Sequence, residues 1–275
     1  MKHLADLIYW VEEREAIRIR KEDGFAAPWT EDPILAAYRF CNVRREDDKV
    51  TRWIYHNWYR PMFGDDRLPF AVAVARMVNL PHSLARLGFP YGWNEQEFIR
   101  ELAHQKSLGN KVWTSAYMIT GGYSKGGEAK EVIIGRVLNQ LYKQLQKDPV
   151  TDKDTLEVAS YKVATPGIGS FLRGQIVADL KMVDMPLYRA PDWETWCAVG
   201  PGSTAGLNYL HGREHKYLGE FQFREEVNRI RQIIDSETGI TLCAQNTQNC
   251  LCEFSKFVRT KYYGGRPKAK YYPAP

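Results

Sequence analysis

Three observations predict an all-α fold. Apolar residues recur mostly at the 3.6-residue period of an amphipathic helix and seldom alternate with the period of a strand. The joints between periodic segments are rich in glycine and proline. No serial strand–helix–strand order emerges over the 275 residues.

Residues 3–21 place Leu4, Leu7, Ile8, Val11 and Ile19 on one broad apolar stripe, stopped by Gly24 and Pro28. Asp32-Pro33 then opens a helix, with Asp as N-cap and Pro at the first helical position. Helical patterns follow near 45–60, 67–79, 94–108, 129–147, 169–182, 204–211, 217–236 and 245–261. Gly64-Asp65, Leu80-Pro81, Phe89-Pro90, Gly121-Gly122, Gly126-Gly127 and Gly200-Pro201-Gly202 punctuate them. No internal repeat and no low-complexity linker divides the chain, so a single helical domain over 1–275 is expected.

Composition bounds the function. With 44% apolar and 26% charged residues the chain can bury a core. A net charge of +5 permits a polyanionic partner without requiring one. The eight Trp and sixteen Tyr supply rings for a core or for stacking on bases. The five cysteines, Cys41, Cys197, Cys243, Cys250 and Cys252, are odd in number and show no metal-site spacing, which fits free thiols in a reducing cytoplasm. The charged start MKHLADLIYWVEEREAIRIR is not a signal peptide, and no run reaches the roughly 20 apolar residues of a membrane span. A soluble intracellular protein is expected.

Several familiar signals fail. Gly121 and Gly126 have Walker-A spacing, but Gly127 stands where that loop needs its lysine. Gly200, Gly202 and Gly206 are one residue too long for a dinucleotide fingerprint. His211 and His215 have helical spacing but lack the adjacent glutamate of a zinc protease, so no metal site is assigned.

Four stretches carry candidate chemistry. In TPGIGSFLRGQIVADL, residues 165–180, Gly167 and Gly169 allow a tight turn whose N–H groups open a helix, as in a helix–hairpin–helix that grips a DNA phosphate. An ordinary helix joint has the same pattern. Gln175 and Asp179 share a face of that helix, and Asp179 is either solvated or, lining a cleft, a general base; Asp184 in the connector is its rival. In CAVGPGSTAGLNYLHGR, residues 197–213, Gly202 and Ser203 form a second anion turn, with Asn208 and Arg213 completing a polar pocket; a structural turn is the alternative. In residues 29–53, Arg39, Asn42, Arg45, Asp48 and Arg52 fall at helical steps among rings, as a salt-bridged face or a base-and-phosphate reader. From Lys256 to Lys270 six cations, including Arg259 and Arg266, occur without an acid and among tyrosines Tyr262 and Tyr263. That is the footprint of a nucleic-acid backbone, or else a disordered basic tail.

Taken together, WTEDPILAAYRF-N-V-RE-D-VTRW, AYMITGG, PGIGSFLRGQIVADL, GPGSTAGLN-L-GR and CEFSK-R resemble the phage amino acid:DNA transferases. These are also called alpha-glutamyl/putrescinyl thymine pyrophosphorylases, and they are related to the helical domain of 5-hydroxymethyluridine DNA kinases. The resemblance runs from about residue 10 to residue 272. It implies a remodelled helix–hairpin–helix DNA glycosylase architecture, with the hairpin near 152–182 and a basic C-terminal segment at 256–275. It also implies transfer of an amino acid, glycine in some members, onto 5-pyrophosphoryloxymethyl-deoxyuridine in DNA, with pyrophosphate leaving, in the cytoplasm of an infected bacterium.

Under that resemblance Asp179 is the first choice for the carboxylate that handles the amine, with Asp48 and Glu253 next. Arg39, Arg45, Arg52 and the Gly200–Ser203 turn are candidates for the pyrophosphate, Asn42 for the ring carbonyl, and Asn208 and Arg213 for the surrounding pocket. Gly167, Gly169, Lys256, Arg259 and Arg266 are candidates for DNA. Gly121, Gly122 and Ala205 would shape a narrow amino-acid slot. The partners are modified DNA and a free amino acid, with no membrane and no assigned cofactor; a divalent metal stays open. Two rivals remain: a glycosylase that excises a modified base, and a non-catalytic DNA-binding partner of a base kinase.

Overall fold

The computed structural model describes residues 1–114 and 127–267. Among them the helices are, in chain order, α1 (Leu4–Glu22), α2 (Pro33–Ala37), α3 (Lys49–Ile54), α4 (Leu68–Val78), α5 (Pro81–Leu87), α6 (Glu95–Ser107), α7 (Lys130–Lys147), α8 (Leu156–Lys162), α9 (Ser170–Leu180), α10 (Pro201–His211), α11 (Glu220–Thr238) and α12 (Ala244–Tyr263). Short 3-10 and π turns extend α3 and its approach, and no β-strand occurs among the described residues. The fold is all-α.

Two compact units emerge where the sequence suggested one domain: Met1–Asp48 with Glu194–Pro275, and Lys49–Trp193. The second is inserted within the first, so each boundary is a mere crossing and leaves no linker composition to read.

In the first unit, α1 presents Leu7, Trp10, Val11 and Ile17 to a core shared with Leu207, Leu210, Phe223, Val227, Ile230, Leu251, Phe254 and Phe257. Ile19, placed on the expected stripe, is exposed; Arg14 and Glu15 are buried instead. Asp32 caps α2 as its sequence implies, its Oδ1 accepting from the N–H groups of Ile34 and Leu35 at 2.8 Å each. Helices α10 and α12 approach very closely. A Cβ added at Gly206 would lie 2.3 Å from the Leu251 carbonyl oxygen, and one at Gly202 would lie 2.4 Å from Cys252 Sγ. These two glycines sit one helical turn apart on the face toward α12, so their job is backbone contact.

In the second unit every residue of α4 is buried. Helix α9 is buried almost all round from Leu172 to Leu180, and it packs on α4 and α8. The α8–α9 joint turns at Gly167, whose φ of +94° is the left-handed conformation that glycine adopts without strain. Ile168 is buried beneath the turn. Helix α5, absent from the sequence-derived pattern, is a short run started by Pro81.

Candidate functional site

One face of α12 holds an extended segment of the first unit. Asn246, Asn249, Cys250 and Glu253 occupy positions i, i+3, i+4 and i+7, which share one side of a helix. Asn246 Oδ1 accepts from the Arg45 backbone N–H at 3.2 Å, and Asn246 Nδ2 donates to Glu46. Asn249 Nδ2 donates to the Asn42 carbonyl at 3.3 Å, and the Cys250 thiol donates to the Val43 carbonyl at 3.4 Å. Glu253 Oε2 accepts from the Cys41 N–H at 3.2 Å. Cys41, Asn42, Val43, Arg45 and Glu46 are thereby pinned to α12, which fixes backbone groups that neither helix nor sheet satisfies.

Arg14 of α1 closes the segment from the other side. Its Nε donates to the Cys41 carbonyl at 3.2 Å and its Nη2 to Asn42 Oδ1 at 2.9 Å. Asn42 Nδ2 donates to the Asp47 carbonyl, while the Asn42 N–H reaches Asp48 Oδ1 at 3.4 Å. Lys256, one turn beyond Glu253, donates to Glu253 Oε1 at 2.5 Å. Burial disfavours the Lys256 charge, but the charge and hydrogen bond of Glu253 prevail and raise its pKa above the usual lysine value. Glu253 is buried, whereas the Lys256 side chain keeps 35% of its exposure. The result is a fixed ion pair whose carboxylate is buried and whose lysine is only partly so. Asn42, Asp48, Glu253 and Lys256, drawn from two distant parts of the sequence, meet here, and Arg14, which the sequence reading did not single out, joins them. Its only sequence signal is a charge inside the apolar stripe of α1.

Among the other candidates, Arg45 belongs to the clamped segment through its backbone N–H to Asn246, and Arg39 is exposed. Ser203 is fully buried, donating to the Gly200 carbonyl and accepting from Gln248 Nε2 at 3.1 Å. With Gly202 against Cys252, the GPGS turn is built for helix packing. Asn208 Nδ2 donates to the Lys216 carbonyl. Arg213 grips Glu226 with both Nη atoms, at 2.9 and 2.6 Å, so that fork is occupied. At the C-terminal end the basic stretch is helix as far as Tyr263. Lys261 Nζ and Tyr262 Oη both donate to Asp6, and Tyr263 stacks on Tyr209 at 5.7 Å. Arg259 and Arg266 are exposed; residues 268–275, with the last two lysines, lie outside the described residues.

In the second unit Asp179 does not line a cleft. It is fully buried and accepts from Arg76 Nε at 2.5 Å, Arg76 Nη2 at 2.7 Å and Tyr59 Oη at 2.6 Å. Arg76 Nη2 also donates to Thr51 Oγ1 and Nη1 to Asn79 Oδ1. Asp184 is exposed with a φ of +60°. Arg52 is exposed on α3 of this unit. Gly167 and Gly169 form the turn before α9, and Gly169 is its N-cap residue without a side-chain cap. Gly121, Gly122 and the Walker-like spacing up to Gly126 lie outside the described residues.

The model of the 5-hmdU DNA kinase helical domain matches residues 1–265. The chain belongs to this helical-domain family. A 5-hmdU DNA kinase of Bacillus phage SP10 is 25% identical over 298 residues, covering 94% of this chain and 46% of the relative. The chain therefore spans about half the length of that curated relative. No solved structure matches.

For this member of the family, the described residues include no group of three or more His, Cys, Asp or Glu able to hold a metal ion. None of their helices is long and apolar enough to cross a membrane. The cluster thus offers the helical domain two carboxylates, an ammonium, a guanidinium and a clamped amide as its polar equipment.

Proposed function

We propose that this helical domain modifies thymine-derived bases in phage DNA by transferring an amino acid to 5-pyrophosphoryloxymethyl-deoxyuridine. The observation that carries the reading is the convergence of Asn42, Asp48, Glu253 and Lys256 around the clamped segment 41–46. In the reaction the amine nitrogen forms a bond to the exocyclic methylene carbon. The carbon–oxygen bond to pyrophosphate breaks, and pyrophosphate departs with the electron pair. Lys256, with donors left over from Glu253, faces the departing charge, where electrostatic stabilisation counts most. Glu253 orients Lys256, and the half-buried Asp48 takes the amine proton. Asp179, the first choice from sequence, is reassigned to holding the second unit together, because a buried carboxylate bound by Arg76 has no open face for an amine.

The Bacillus phage SP10 relative is a kinase, and Gly127 in place of the Walker lysine weighs against phosphoryl transfer by this chain. The test is incubation with DNA carrying 5-pyrophosphoryloxymethyluracil and a mixture of amino acids, followed by mass spectrometry of the nucleosides. An amino-acid adduct is expected. A lost base would favour glycosylase chemistry, and unchanged nucleosides would favour a non-catalytic partner of the kinase; either overturns the proposal.

A further inference from the structure

A pocket of about 640 Å³ lies wholly within the second unit, between α5, α6 and the connector GFPYGWN, residues 88–94. Its size is that of small-molecule sites, which run roughly 300–1,000 Å³, and it exceeds what one amino acid needs.

The lining pairs rings with cations that form no ion pair among the described residues. Phe89 and Tyr91 pack with centroids 5.0 Å apart, and Trp93 is wedged against Phe70 and Phe98 at 5.0 and 5.3 Å. The Trp93 Nε1–H donates to Asn139 Oδ1, which fixes the indole. Tyr91 is held from one side by Arg67, whose guanidinium lies 5.1 Å from the ring and is itself locked to Asp65 at 2.8 and 2.6 Å. Tyr91 nevertheless stays 58% exposed. An aromatic face this exposed and this firmly braced loses little freedom when something stacks on it.

Arg86 of α5 and Arg100 of α6 line the same pocket, are exposed, and form no ion pair among the described residues. Two guanidiniums without an ion pair among the described residues, sharing the lining with the carboxylates of Glu97 and Glu101, match an anion attached to a planar group that itself carries N–H donors. Glu97, also in the lining, supplies an acceptor for a ring N–H.

We infer that this pocket takes one unstacked nucleotide of a DNA strand, its base against Tyr91 and its phosphate at Arg86 and Arg100. The inference does not depend on the transfer chemistry proposed for the first unit. It assigns strand binding to a connector and two short helices, remote in sequence from the glycine hairpin before α9.

The full chain is titrated with a short, unmodified single-stranded oligonucleotide carrying one 2-aminopurine, with no amino acid present. Stacking should quench the 2-aminopurine fluorescence. Tyr91→Ala should abolish the quench and weaken binding about fivefold or more, whereas Tyr91→Phe should retain both. Arg86→Ala and Arg100→Ala should each lower the salt slope of binding by about 0.7. Circular dichroism checks that each exposed-residue variant stays folded. Unaltered quench and affinity in folded Tyr91→Ala would overturn the inference, as would competition by free thymidine monophosphate as tight as by the oligonucleotide. Because the probe DNA is unmodified, failed transfer leaves this outcome unaffected.

Discussion

Arg76 and Asp179 form a forked ion pair in the second unit, with guanidinium-to-carboxylate distances of 2.5 and 2.7 Å and essentially no exposure on either side chain. Helix α4 supplies the cation and α9 the anion, and Tyr59 and Thr51 take up further hydrogen-bonding capacity. Removing one partner of such a pair strands a charge in a low dielectric, at a cost of about 3–5 kcal/mol. Asp179→Ala should therefore lower stability by that amount, read as a loss of urea midpoint at unchanged slope. Asp179→Asn should also destabilise, because an amide nitrogen faces Arg76 donors. A variant at 179 with full stability and no transfer would return Asp179 to the chemistry.

The approach of α10 to α12 makes a second outcome specific. Gly206→Ala would put its Cβ 2.3 Å from a backbone carbonyl oxygen, which has no rotamer with which to move aside. The helices must separate, and overpacking of this kind costs about 1–3 kcal/mol. Ala205→Gly, on the same helix but half-buried, should cost only about 1 kcal/mol through helix propensity. Thermal melts of the two variants, measured side by side, distinguish packing from propensity.

Much of this was legible in the residues, for reasons that differ by element. Asp32-Pro33 announced α2 because capping is a local interaction, and Gly167 announced its turn because a positive φ is a local demand. The candidates whose surroundings differ from the sequence expectation share one cause. Periodicity shows which residues share a helix face but not what that face meets. Asp179 looked like an acid directed outward because α9 was read as amphipathic, yet α9 is covered almost all round. Gly202 and Ser203 looked like an anion turn, since glycine spaced for a phosphate and glycine spaced for a helix contact are alike in one dimension. Arg14 escaped notice because its partners lie 26–28 residues away.

Acid should weaken the first unit through Glu226. The Arg213 hydrogen bonds hold its carboxyl below the usual glutamate value of 4.5, outweighing burial. A group with a depressed folded pKa contributes stability that is complete above about pH 4.5 and is lost as pH falls through the folded value. His211, 3.6 Å from Glu226, acts in the same direction at higher pH. Burial and the nearby Arg213 charge lower its pKa below 6.5, so protonation favours the unfolded chain as pH falls past that value. Glu226→Gln should lose about 1–2 kcal/mol at neutral pH and show a shallower decline below pH 4.5. Chemical denaturation across pH 3–7 measures both; parallel pH profiles for variant and parent would remove Glu226 from the acid transition.

The Glu253–Lys256 pair separates clamping from chemistry. Lys256→Met removes the cation yet keeps most of the aliphatic stem, and it leaves the Cys41 N–H bound to Glu253. If the ammonium neutralises departing pyrophosphate, transfer should fall by about 100-fold or more, the scale of losing one preorganised charge donor. Glu253→Gln keeps an oxygen able to accept from Cys41 but places no charge beside Lys256, so the loss of transfer should be smaller and the stability change modest. Lys256→Arg restores charge and should recover part of the rate. Single-turnover adduct formation on 5-pyrophosphoryloxymethyluracil DNA provides the readout. Equal rates for Lys256→Met and the parent would confine the pair to a structural role, since only the chemistry needs a positive charge that a methionine lacks.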